Sequence, residues 1–226
     1  TLAIFYGTSD KGTPAEVTPD NFSNLKLWLD AADLTTADST WSDKSGNGNH
    51  ATKYNTPTVV TNAQNGLSLM RYDKVTTAAN TDYHEWTDIS DVRTVFAVYK
   101  RDSGNDGTIL NDDDSYPFFA ASSSYPSNGT QTLLHGSHAD AKIRGGLYKL
   151  NGTSVTSTST NHPTSLSIHT VRATGNIEVS RIGRDRDKTY GHFDGDYGEL
   201  LIFNTALSDP DIEKIEGYLA HKWGLT

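Results

Sequence analysis

The chain has 226 residues, a formal net charge of −9, no cysteine, and a tenth of its residues aromatic. That length suits one large all-β domain with a substantial core, and the lack of cysteine excludes disulfides and thiolate metal sites. The acidic balance argues against nucleic-acid binding, and no apolar run approaches the roughly 18 residues of a membrane-spanning helix.

Residues 1–20 hold a short apolar run, Leu2 to Tyr6, and then a stretch rich in Gly, Pro and Thr. They read as an edge strand and linker, with the domain proper over 21–226. The start lacks Met and a basic, apolar leader, as expected of a module belonging to a larger chain.

From there the signals are mostly β. Leu25-Lys26-Leu27-Trp28-Leu29 alternates with period two, and residues 67–72 do so more loosely. Residues 93–99 and 199–203 are near-continuous apolar runs, which predicts strands covered on both faces. Asn151-Gly152 between residues 147–150 and 153–155 predicts a tight hairpin, because that dipeptide tolerates positive φ. A second hairpin is expected over 165–172 and 177–182, turning at Gly175-Asn176. The last element is the one convincing helix. Ser208 is its N-cap, Pro210 lies in the first turn, and Gly224 is the stop. Ile212, Ile215, Leu219 and Trp223 form a helical stripe whose role is core packing.

Asp, Asn and Gly gather in three loops: 102–107 running on into Asn111-Asp112-Asp113-Asp114, 183–187 continuing to Asp194-Gly195-Asp196, and 43–49. Calcium takes six to eight oxygen ligands, which such loops supply, although the same residues also dominate ordinary turns. The first loop has a partial EF-hand rhythm, but a strand over 93–100 precedes it where that motif needs a helix. On chemistry and location, ligand contact falls to Asp112, Asp113, Asp114, Asp185 and Asp187. Arg184 and Arg186 would add hydrogen bonds, and Tyr116 and Tyr190 would stack on a ligand. Calcium would be held there by Asp112, Asp114 and Asp185. His135, His138 and Asp140 read as a polar loop, and Phe118 and Phe119 as core.

Catalytic patterns are missing. The sequence has no Gly-x-Ser-x-Gly elbow and no Cys nucleophile, and its only closely spaced Glu pair, Glu213 and Glu216, is helical. His84-Glu85 beside Trp86 reads as structural. The expectation is a binding module, not an enzyme.

The motifs that remain carry a resemblance. Leu27-Trp28-Leu29-Asp30-Ala31-Ala32-Asp33, then Trp41-Ser42-Asp43-Lys44-Ser45-Gly46-Asn47-Gly48-Asn49-His50-Ala51, Ile182-Gly183-Arg184-Asp185, and the stretch from Phe193 to Trp223 resemble laminin-G-like domains of bacterial surface proteins. The most specific piece is Gly198-Glu199-Leu200-Leu201-Ile202-Phe203-Asn204 with the helix ending His221-Lys222-Trp223-Gly224-Leu225. Covering about residues 20–225, the pattern looks like the calcium-dependent peptide-binding domains near the far end of large RTX-type adhesins. The resemblance implies an antiparallel two-sheet jelly-roll sandwich, concanavalin A-like, with one C-terminal helix. It further implies a structural calcium held by Asp43, Asn47 and Glu199, with Asp30 and Asp33 nearby. The function it implies is calcium-dependent recognition of a peptide or protein C-terminus on a host or partner cell. A calcium-dependent lectin that binds glycans on the same fold is the alternative. Either way the expectation is a monomeric, extracellular module of a bacterial surface protein, with no insertion into the membrane.

Overall fold

The computed structural model describes residues 17–73, 81–102, 107–112, 118–120, 132–184 and 193–226. The expected strand at Leu2–Tyr6 lies outside them. A short 3₁₀ turn, Pro19–Asn21, leads into strands β1 (Leu25–Asp30), β2 (Thr40–Trp41), β3 (Ala51–Tyr54), β4 (Thr58–Gln64) and β5 (Leu67–Tyr72). Next come β6 (Tyr83–Arg101), β7 (Gly107–Thr108), β8 (Leu110–Asn111), β9 (Phe119–Ala120) and the one-turn helix α1 (Ala141–Arg144). The chain ends with β10 (Leu147–Leu150), β11 (Thr153–Ser154), β12 (Ser167–Ile182), β13 (Gly195–Phe203) and helix α2 (Asp209–Trp223). Among the described residues, no helix is long and apolar enough to cross a membrane.

All strand pairing is antiparallel, and the protein is an all-β sandwich with a C-terminal helix. Two long strands, β6 and β12, build it. Their lower halves pair from Ser167↔Tyr99 to Arg172↔Thr94, and their upper halves from Ile177↔Val92 to Ile182↔His84. Between Arg172 and Ile177 the register shifts, and the ladder bends there. Val95, Ala97, Tyr99 and Val171 from one half share a core with Trp86, Ile89, Val92, Ile177 and Val179 from the other. The two halves therefore face each other across it, with β13, β1 and β10 extending the lower layer and β3 and β8 the upper.

The expected hairpin at Gly175-Asn176 does not form, and both predicted arms belong to the single strand β12. What the sequence marks as a turn is the bend, which keeps β12 paired with the equally long β6 on both sides of it. The other hairpin forms as expected: Asn151 and Gly152 take φ of 45° and 75° between β10 and β11.

β13 is buried along its whole length, as its continuous apolar run demands. Leu200 and Ile202 face the inter-layer core, while Leu201 and Phe203 face a second one roofed by α2. The helix turns Ile212, Ile215, Leu219 and Trp223 onto that roof. The Ser208 side chain accepts from the Asp211 N–H, and Gly224 ends the helix in the left-handed conformation.

Candidate functional site

Two polar clusters carry the residues singled out by the sequence, and they differ in kind. The first joins β1, the 43–49 loop, β13 and α2. Glu199 has no exposed surface. One of its carboxylate oxygens accepts from the Trp28 indole (2.7 Å) and the Tyr218 hydroxyl (3.0 Å). The other accepts from the Trp223 indole (2.8 Å) and the Lys222 ammonium (2.9 Å). Lys222 also reaches Asp30 Oδ2 at 2.8 Å, and Lys44 meets that same oxygen at 2.7 Å. Two carboxylates thus face two ammonium groups, and the hub is neutral. Burial pushes the Glu199 carboxyl above its ordinary range, with the Asp30 charge adding to it. At Asp30 burial also pushes upward, but Lys222, Lys44 and the Ala32 N–H outweigh it and hold the group below its usual value.

Asp43 is equally engaged. Its Oδ1 accepts the backbone N–H groups of Trp28 and Ser45, each at 2.9 Å. Its Oδ2 accepts the Ser45 hydroxyl at 2.8 Å and the Asn49 N–H at 3.0 Å. Asn47 points its amide nitrogen at the Leu25 carbonyl and the Ser45 hydroxyl. A cation needs lone pairs aimed at it, whereas here hydrogen donors take up both oxygens of each carboxylate. Asp43, Asn47 and Glu199 therefore do not fit the structural calcium that the resemblance implies. The Asp-x-Ser-Gly-Asn pattern is used to lace a loop onto β1 through hydrogen bonds. Asp196 is likewise committed, to Arg71 through two bonds (2.7 and 2.9 Å) and to Lys100 at 3.0 Å. Burial raises it, but those two cations hold it below its ordinary range. Among the described residues no three His, Asp or Glu side chains gather as a metal-ligand group.

The second cluster lies on the outer face of the upper layer. Register pairs Thr52 with Glu85, Glu85 with Arg181, and Arg181 with Asn111, so these four side chains form one row across β3, β6, β12 and β8. One position along, the paired His84, Ile182 and Leu110 point the other way and are buried. On the row's own face the next pair, Tyr54 and Tyr83, stacks with ring centroids 4.3 Å apart and planes 1° from parallel. The Arg184 guanidinium lies over the Tyr83 ring, 4.8 Å from its centroid. Tyr83 is buried, but Tyr54 is 40% exposed. Burial raises the Tyr83 phenol, and the Arg184 charge partly offsets that. Gly183 brings Arg184 into place. At its φ of 94° an L side chain is strained, and a Cβ there would stand 2.6 Å from the Asp82 carbonyl.

Of the expected ligand-contact residues, Arg184 and Asp112 are described, and both are buried. Asp113, Asp114, Tyr116, Asp185, Arg186, Asp187 and Tyr190 lie outside the described residues. Because β8 and β12 run antiparallel with Asn111 opposite Arg181, Asp112 and Arg184 leave that short ladder at opposite ends. About four residues of strand, ~13 Å, separate those ends, so the two residues are not brought together. Tyr54, Tyr83 and Arg181 escaped the sequence reading, and Asn111 entered it only as part of the first acidic loop. Alternation along residues 51–54 and 83–85 carries the one signal that places them on a common face.

The remaining expectations resolve simply. His135 Nδ1 accepts the N–H groups of Ser137 and His138, and Asp140 caps α1, as a polar loop requires. Phe118 is core, and His84 is buried against the Tyr72 hydroxyl at 2.8 Å. No protein-family profile matches the chain, and no curated protein does.

Proposed function

We propose that this chain is a ligand-binding module of a bacterial surface adhesin, which recognises carboxylate-bearing peptide or protein termini on the face built by Tyr54, Tyr83 and Arg184. One observation carries the reading: a guanidinium laid over a pair of stacked tyrosines whose outer ring is exposed. Arg184 brings charge and donors for an anionic end group, and Tyr54 brings a flat apolar surface for the residue beside it. Binding is favoured over turnover because Glu85, Glu199 and Glu216 each carry a cation partner, respectively Arg181, Lys222 and Lys149. The extracellular setting, and the place of the chain in a larger protein, rest on the laminin-G-like resemblance.

Calcium's part rests on the chemistry of the acidic stretches 112–114 and 185–187 alone. An ion held by Asp112 and Asp114, or one held by Asp185 in its own stretch, would offer a ligand carboxylate direct coordination. A peptide array with free and amidated C-termini, read with and without chelator, tests both parts. Binding of free termini that a chelator abolishes is the expected result. Equal binding in chelator removes calcium from the mechanism, and indifference to the terminal carboxylate removes the function.

The exposed Tyr54 ring also favours a second reading, a lectin that stacks a sugar on that platform. Glycan-array binding competed by free sugar, with no dependence on a carboxylate, would select it.

A further inference from the structure

The row Thr52–Glu85–Arg181–Asn111 runs from solvent into the interior. Thr52 is exposed, the Glu85 side chain is 35% exposed, Arg181 is 3% exposed, and Asn111 is fully buried. Its buried end is chemically unfinished. The Arg181 guanidinium makes one hydrogen bond, from Nη2 to Glu85 at 3.3 Å, and its Nε and Nη1 have no partner. Neither the nitrogen nor the oxygen of the Asn111 amide has one. Leaving a buried amide or guanidinium donor unpaired forfeits the bonds it made to water, and the cost is greater where charge is involved. Most buried polar groups are satisfied, so a neighbouring pair with four orphaned atoms calls for an explanation.

The orphaned atoms specify what would complete them. Arg181 Nε and Nη1 and Asn111 Nδ2 donate, and so ask for oxygens with lone pairs. Asn111 Oδ1 accepts, and so asks for an N–H or O–H. A cation is excluded as the partner by the guanidinium itself. An α-carboxylate together with the amide N–H of the same terminal residue offers both kinds of group a few ångströms apart. Glu85 shows that a carboxylate is compatible with Arg181, and it is held by a single long contact from a partly exposed position.

We propose that Arg181 and Asn111 form the buried anchor of the ligand site. The ligand's terminal carboxylate takes the place of Glu85 on Arg181, and its last amide N–H binds Asn111 Oδ1. Glu85 is then a placeholder that keeps the guanidinium paired in the empty protein and swings toward solvent when ligand enters. This rests on the peptide-terminus reading and adds to it the residues that meet the carboxylate.

The probe is N-acetylglycine, which carries one α-carboxylate and one amide N–H, with N-acetylglycinamide as its uncharged control. Titration of the whole chain in calcium-containing buffer is followed through the arginine Nε–H signals by NMR, with Arg181→Lys identifying the Arg181 resonance. The expected result is a saturable shift of that resonance by the acid and at least roughly tenfold weaker binding of the amide. Glu85→Ala should tighten binding of the acid several-fold, while Arg181→Lys and Asn111→Leu weaken it. A merely structural Arg181–Glu85 pair gives no tightening in Glu85→Ala, and that result overturns the anchor. So does an Arg181 signal that does not move while peptides with free C-termini still bind, which leaves the broader function standing. If neither N-acetylglycine nor any free-terminus peptide binds, with or without calcium, both fall. The orphaned atoms are then met by ordered water.

Discussion

The Glu199 hub and the Arg181–Asn111 row are both buried polar clusters, yet they are finished to different degrees. In the hub, four donors converge on one carboxylate and two ammonium groups balance two acids. In the row, one long ion pair leaves a guanidinium and an amide largely unmatched. The hub has nothing left to offer a ligand or a metal, and its work is to tie α2 to β1 and β13. Of the two, the row alone retains bonding capacity that folding has not used. Counting acidic residues would have ranked the two the other way round.

The largest test of that contrast is removal of one partner from the hub. Glu199→Gln or Lys222→Met should each destabilise the fold by about 3–5 kcal/mol, because each strands buried groups opposite a lost charge. Denaturant titration measures it, and a loss below about 1 kcal/mol would show that the hub is not needed for α2 to dock. Acid supplies a second test, through histidines that neither cluster uses. Burial, with a smaller push from Lys53, lowers His84 to about 3. Burial and the Arg101 charge lower His162 to about 3 as well, where the Tyr99 hydroxyl meets it at 2.8 Å. Their folded values lie below the ordinary value of 6.5, so the unfolded chain takes up protons first as pH falls. Stability is intact above about pH 6.5 and drops toward pH 3, by about 1.4 kcal/mol per pH unit for each histidine. His84→Phe should flatten that slope by one histidine's share, while Glu199→Gln should steepen it, because the raised Glu199 carboxyl takes up its proton in the folded state first and so opposes the histidines.

What the sequence makes legible follows from which interactions are local. The apolar runs at β6 and β13, the Asn151-Gly152 turn and the Ser208-to-Gly224 helix are each written in neighbouring residues, and each forms as read. Gly175-Asn176 misleads because a bend in a strand and a turn between strands call for the same flexible residues, and only the length of the paired strand separates them. The poor fit of Asp43 and Glu199 to a metal has a related reason. Asp43 and Glu199 have the composition of an oxygen-ligand set, but Lys222, Trp28 and Trp223, distant in sequence, supply the donors that fill them. The row was hidden more deeply still. Thr52, Glu85, Asn111 and Arg181 become neighbours only through the registers of three strand pairs, which no local pattern specifies.

The hub and the row predict opposite signs for the same kind of substitution. Replacing Asn111 with Leu removes an amide whose two polar atoms lack partners and keeps its approximate size, so the fold should gain about 1 kcal/mol. A loss of more than about 1 kcal/mol would mean that the amide is already satisfied in the free protein.

The smallest effect concerns calcium at the hub. If the acidic stretches at 112–114 and 185–187 bind calcium, the ion raises the melting temperature by mass action. That gain should be the same in the wild type and in Glu199→Gln, with a coupling below about 0.5 kcal/mol, because Glu199 has no oxygen to give. A calcium-dependent gain that disappears in Glu199→Gln would return the metal to the hub and make Lys222 its competitor. An unchanged gain leaves Lys222 as the cation of that junction, so that any effect of calcium on ligand binding arises away from Glu199.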